Sequence, residues 1–201
     1  VLLSGPGRGS DDAMVAADVS TRESVVSFPG KGLVVDGTVA YLQSHKSVMA
    51  LDRKKYAKAM KERGAAEAEL KKLHEALNAA KQANESTKTA SLDEEIKALQ
   101  TRLDEIPAGP EDCALWTADE ACPYAMVKAG ETVFAGGEGV VVGIDAQNGA
   151  KVWETAVPGR AYGLSVANGC LLVSTSTGTI HCFGKNAAEG RTVTQEAKPF
   201  D

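Results

Sequence analysis

The feature that most constrains this chain is an eleven-residue stretch, Gly143-Ile144-Asp145-Ala146-Gln147-Asn148-Gly149-Ala150-Lys151-Val152-Trp153, with weaker copies elsewhere. An apolar strand ends in a small residue and an Asp, turns through Asn-Gly, and resumes with a Trp. The Asp carboxylate accepts hydrogen bonds from turn amides, and Gly149 takes the positive φ of a tight turn. Trp153 offers a large flat surface for stacking against a neighbouring unit.

The chain carries four related segments. Ala16-Ala17-Asp18-Val19-Ser20-Thr21 keeps the small residue and the Asp, but has Arg22 and Val26 at the Gly149 and Trp153 positions. Ala50-Leu51-Asp52 closes a second strand whose Trp arrives only at Trp116. In the fourth, Thr179–Gly184 supplies a strand without Asp or Trp. Upstream of the last three copies lie pairs of short strands joined by Gly turns: Asp36-Gly37, Ala129-Gly130 and Asn168-Gly169. Such pairs signal β-hairpins. With residues 53–112 set aside, the period is about 34 to 39 residues, near the ~40 of a four-stranded propeller blade. The expected fold is mainly β: a partial propeller of about three and a half four-stranded antiparallel blades. These occupy residues 1–52 and 113–201, with a helical insert over 53–112.

The strong copy resembles the tryptophan-docking motif of quinoprotein-like β-propellers, Ala-x-Asp-x-x-x-Gly-x-x-x-Trp, and departs from it at Gly143, where the family has Ala. Asp18, Asp52, Trp116, Gly143, Asp145, Gly149 and Trp153 are the positions that carry the resemblance. What it implies is a fold family of enzymes that bind pyrroloquinoline quinone together with non-enzymatic propellers, some serving outer-membrane protein assembly. The motif is structural in both groups. It therefore does not choose between them. The non-enzymatic branch is expected because nothing in the sequence supplies the polar, calcium-bearing pocket or vicinal disulfide of the enzymes. The resemblance favours a periplasmic or extracytoplasmic bacterial setting.

Bulk properties narrow the classes. The 201 residues carry a net charge of −5, against nucleic-acid binding by the chain as a whole, and 43% are hydrophobic but only 5% aromatic, as suits many short strands. No apolar run is long enough for a transmembrane helix. Without an initiating Met or leader, and with too few strands to close a ring, the chain reads as a piece of a longer protein. Cys113 and Cys122 flank the Trp116 strand and are candidates for a disulfide. Cys170 and Cys182 fall out of register on paired strands, and two buried free thiols are expected there.

Residues 53–106 break the β pattern. Ala66, Leu70, Leu73, Leu77 and Ala80 repeat at spacings of 4 and 3, as do Leu92, Ile96, Leu99, Leu103 and Ile106. This is the seam of two helices coiling together. The spacing predicts helices over 53–83 and 91–106, antiparallel, with Asn84–Ala90 as the connection and Ser91/Glu94 as a capping box. Because the first helix is longer, the paired part should stand off the β domain on a stalk. Arg53, Lys54, Lys55, Lys58, Lys61 and Arg63 crowd the start of the first helix, where positive charge opposes the macrodipole. A solvated face, docking on the same chain and an external anionic partner all remain open for them.

No catalytic, metal or cofactor-binding residue emerges. Gly5–Asp12 lacks the helix and Lys-Ser/Thr of a P-loop and reads as a hairpin loop. His45 and His181 lie in different blades with no neighbouring acidic pair at ligand spacing, and His74 sits on the hairpin between heptad positions. Asn84-Glu85-Ser86 forms a sequon that matters only in a secretory eukaryotic context. The expected function is a non-catalytic propeller segment that binds proteins or self-associates as a scaffold, with no cofactor. A fragment of a quinoprotein oxidoreductase and an accessory or sensor domain fused to an enzyme are the alternatives.

Overall fold

The structure, a computed structural model, describes residues 2–4, 13–17, 20–21 and 24–184. Asp18 and the Gly5–Asp12 loop lie outside the described residues. The fold is mainly β with two helices. Strands β1 (Leu2–Ser4), β2 (Ala13–Ala17) and β3 (Ser24–Pro29) form a three-stranded antiparallel sheet. Next come β4 (Gly32–Asp36), β5 (Val39–Gln43) and β6 (Val48–Asp52). The chain then leaves as helices α1 (Arg53–Gln82) and α2 (Ser86–Glu105), and returns through a 3-10 turn, Glu111–Cys113. It completes the second sheet with β7 (Ala114–Ala118), in the order β4-β5-β6-β7.

The third sheet holds β8 (Ala125–Ala129), β9 (Thr132–Gly136), β10 (Glu138–Asp145), β11 (Lys151–Ala167), β12 (Cys170–Thr175) and β13 (Ile180–Gly184), in sequence order across the sheet. Its six strands curl because β11 serves two partners: Lys151–Arg160 pairs with β10 and Ala161–Ala167 with β12. The change of partner falls between Arg160 and Ala161, just after the irregularity at Pro158-Gly159, where Gly159 has φ 75°. The hairpin between β11 and β12 turns on Asn168 (φ 51°) and Gly169 (φ 75°), the double positive φ of a type I′ turn.

Period-two alternation places the core on both faces of the middle sheet. The row Tyr41, Ala50 and Trp116, in register across β5, β6 and β7, faces Val133, Ala135, Val142 and Ile144 of the third sheet. The alternate row, with Ala40, Leu42 and Leu51, packs on Met14, Ala16, Val26 and Phe28 of the first sheet. A third cluster, Val141, Val157, Ala161, Leu171 and Val173, fills the bend of the six-stranded sheet.

The helices correct the predicted boundaries. α1 ends at Gln82, one residue early, and α2 begins at Ser86 rather than 91. Asn84 takes φ 56°, which stops α1 as a left-handed residue does, and Glu85 donates its amide to Ala80 O. Three residues therefore suffice for the connection, and the predicted capping box is absorbed into α2, where the Ser91 hydroxyl bonds Glu95. The seam residues Ala66, Leu77 and Ala80 of α1 and Ile96, Leu99 and Leu103 of α2 are buried, with Leu70 and Leu73 packed against Ala66, Leu99 and Leu103.

Candidate interaction surface

The turn after β10 is closed by three hydrogen bonds on Asp145. The Asp145 carboxylate accepts the amides of Gln147 (2.8 Å) and Asn148 (3.2 Å), and Gly149 donates its amide to Asp145 O (2.9 Å). Gly149 sits at φ 77°, and a methyl group on it would lie 2.7 Å from the Trp116 ring. Only glycine lets the indole rest on this turn. The Trp116 indole N–H donates to Ala146 O (3.0 Å), and the Tyr41 hydroxyl approaches the same oxygen at 3.5 Å. The two rings are 6.0 Å apart. The middle sheet is thereby seated on the turn of the third sheet through one carbonyl and one glycine.

Trp153 occupies a different setting. It lies opposite Gly143 on β10, edge-on to Phe134 (5.9 Å) and Phe183 (5.6 Å). It is half-buried, whereas burial comparable to that of Trp116 was expected. An apolar groove of about 420 Å³ opens beside it, lined by Phe134, Val152, Val166, Cys170 and Phe183 among others. A methyl on Gly143 would come within 3.2 Å of Trp153 Cβ and 3.3 Å of the Phe134 ring. That crowding is a physical reason for glycine where the family pattern has Ala.

The second copy of the turn is the departure point of the helices. Asp52 caps α1, its carboxylate accepting the amides of Lys54 and Lys55, both at 2.9 Å. One turn on, Tyr56 is buried against Phe28 of β3 (centroids 5.4 Å) and its hydroxyl donates to Ser27 O at 2.9 Å. The first turn of α1 thus gives the first sheet an aromatic contact at the position where the third sheet gives Trp116 its turn. Four of the six basic residues at this helix start are met within the chain. Arg53 donates to Gly37 O, Lys55 to Asp112 O and Arg63 to Leu103 O and Ile106 O, and Lys58 pairs with Glu62. The Asp112 carboxylate accepts the amides of Ala108 and Gly109, folding the return segment at the base of α1. The distal end, with Gln82–Ser86, is polar and exposed.

Gln43, which the sequence did not single out, is 2% exposed and donates from Nε2 to the carbonyls of Cys122 and, at 2.8 Å, Ala125. It joins the middle sheet to the segment entering β8. A buried Gln at a strand end has no signature in one sequence, so nothing would have found it.

The cysteines depart from expectation. Cys113 and Cys122 are both free, each buried in a different cluster on opposite faces of the middle sheet, so no bridge links them here. Burial pushes both thiols up, that of Cys122 to about 11. Of the second pair, Cys170 is half-buried and Cys182 exposed, not two buried thiols. His45 and His74 are exposed, and His181 stacks on Phe183 with its Nε2 buried and unbonded. Among the described residues, no three or more His, Cys, Asp or Glu side chains are placed to hold a metal ion, and no helix is long and apolar enough to cross a membrane.

Comparison with known proteins agrees with this geometry. The family model described as outer membrane protein assembly factor BamB matches residues 108–198. No curated protein sequence matches the chain significantly. Among solved structures, the computationally designed Ika4 protein is similar with TM-score 0.53 and 10% identity, over 90% of this chain and 83% of that one. BamB from Moraxella catarrhalis is similar with TM-score 0.50 and 14% identity, over 94% of this chain and 44% of that one. The designed Ika8 protein gives 0.51 and 9%, over 90% and 42%. The chain thus spans less than half the length of BamB and of Ika8. The resemblance carried by the repeat holds: residues 108–198 match the PQQ-like family of the assembly factor BamB, and the chain has a BamB β-propeller as a neighbour in fold.

Proposed function

We propose that the chain is a segment of a non-catalytic PQQ-like β-propeller that acts as a protein-interaction or scaffold module. In this reading residues 1–52 and 113–201 form about three and a half blades, and residues 53–112 are an inserted antiparallel coiled-coil hairpin. The observation that carries it is the seating of Trp116 on the Asp145–Gly149 turn. It fixes neighbouring sheets to each other and leaves their rims and the hairpin to face other molecules. The matched family is named for an assembly factor, a role consistent with a scaffold. The partner is a protein, and the missing part of the ring comes from further blades of a parent chain or from a second copy.

The test compares the full chain with a variant lacking the distal hairpin, residues 65–101, joined by a short Gly-Ser link. Retained β signal in circular dichroism together with loss of self-association in sedimentation velocity, or of co-purifying proteins, supports the reading. Unchanged association places the function on the sheet rims. Saturable binding of pyrroloquinoline quinone in the presence of Ca²⁺ overturns it in favour of a quinoprotein fragment.

A further inference from the structure

We propose that Cys170 and Cys182 are a redox-modifiable pair that closes a reversible disulfide within the last hairpin of the third sheet. Cys170 lies opposite Gly184 and Leu172 opposite Cys182 across β12 and β13. The two cysteines are therefore diagonal neighbours on one face, since residues two apart on a strand share a face. Direct diagonal separation is long for a disulfide, about 7–8 Å between backbones. Two features bear on the approach. Gly184 has no side chain, and the Cys170 sulfur leans into that space, 3.1 Å from where a Gly184 methyl would sit. The Cys182 thiol senses Cys170, whose proximity raises its pKa above the ordinary value. In addition, β13 is the outermost strand of its sheet as described, held by β12 alone, so one edge strand can move to close the bond.

The other two thiols act as internal controls. Cys113 is 2% exposed and Cys122 1%, in separate cores, and burial keeps both protonated. Thiolate character and access decide which cysteine reacts. Cys182 is exposed and meets an oxidant first. The adjacent Cys170 thiol raises the pKa of Cys182 above its ordinary value, so the reaction quickens as pH rises. With oxidised glutathione, the Cys182 thiolate attacks one glutathione sulfur, forming a mixed disulfide and releasing one reduced glutathione. The Cys170 thiolate then attacks the Cys182 sulfur and releases the second. Two cysteines are oxidised, the glutathione disulfide is reduced, and both thiol protons pass to the departing glutathione thiolates.

The folded protein is incubated with oxidised glutathione, the free thiols are blocked with N-ethylmaleimide, and the chain is mapped without reduction. Chymotrypsin is needed, because one tryptic peptide, 161–185, contains both residues. The expected result is loss of two of the four thiols, a Cys170–Cys182 link lighter by two hydrogens, restoration by dithiothreitol, and blocking reagent only on Cys113 and Cys122 after unfolding. Cys182→Ser should abolish the link while preserving the β spectrum. Three results overturn the proposal: a lasting glutathione adduct on Cys182 beside a free Cys170, a Cys182–Cys182 dimer, or all four thiols still reduced.

Discussion

One carbonyl, that of Ala146, receives an indole and approaches a phenol from the neighbouring sheet, and one glycine beneath the indole permits the approach. Trp116→Ala should therefore cost about 3–5 kcal/mol by opening a cavity between sheets. Trp153→Ala, at a half-buried site, should cost clearly less, and urea unfolding of the two variants decides the order. Gly149→Ala should cost about 1–3 kcal/mol from its positive φ alone, and more from displacing the ring. Gln43→Leu leaves the Cys122 and Ala125 carbonyls without their donor and should cost about 1–3 kcal/mol. Cys122 adds a pH dependence. Its thiol pKa is raised from 9.0 to about 11 by burial, so the folded state favours the protonated form. Its contribution is complete below about pH 9 and is lost as pH rises toward about 11. Unfolding curves across that window should slope downward, and Cys122→Ala should flatten the slope.

At the level of elements, the hairpin is rooted as well as displayed. Tyr56 binds Phe28 and Ser27 of the first sheet while Asp52 belongs to the second. Excision of everything from Lys54 to Glu111 removes this contact and should destabilise the first sheet. Removal of residues 65–101 leaves it intact. Tyr56→Phe should cost about 1 kcal/mol for the lost hydrogen bond, and Tyr56→Ala several times that, read from thermal unfolding of the first sheet. The faces that α1 and α2 bury were legible in the 4-3 spacing because burial imposes that period. The start of α2 was not. A left-handed Asn84 closed the connection in three residues, and such a turn competes on equal terms with the Ser91 capping signal in the sequence alone.

For the whole molecule, the repeat announced a mainly β fold through Asp-turn-Gly spacing, which the hydrogen bonds of Asp145 explain. It did not announce the strand count: among the described residues the sheets have three, four and six strands rather than four each. Nor did it separate the two tryptophans. Trp153 sits in the strong copy yet is half-buried, whereas Trp116, separated from its Asp by two helices, is the one fully seated. What seats a Trp is the turn of the next sheet, and spacing within one copy carries no information about that. Cysteine pairing was illegible for the same reason, because Cys113 and Cys122 are near in sequence but divided by the sheet between them.

The dependence of each sheet on its neighbour's turn sets a rule for where the chain can grow. The turn at Asp52 opens into about 60 residues of helix and return, and α1 itself replaces the lost contact through Tyr56. The turn at Asp145–Gly149 has no such freedom, because Trp116 rests on its glycine. A sequence lengthened after Asp145 would unseat the preceding sheet unless its first residues rebuilt a flat seat for an indole. Along this array, loop length is a trait that one repeat inherits under the veto of another.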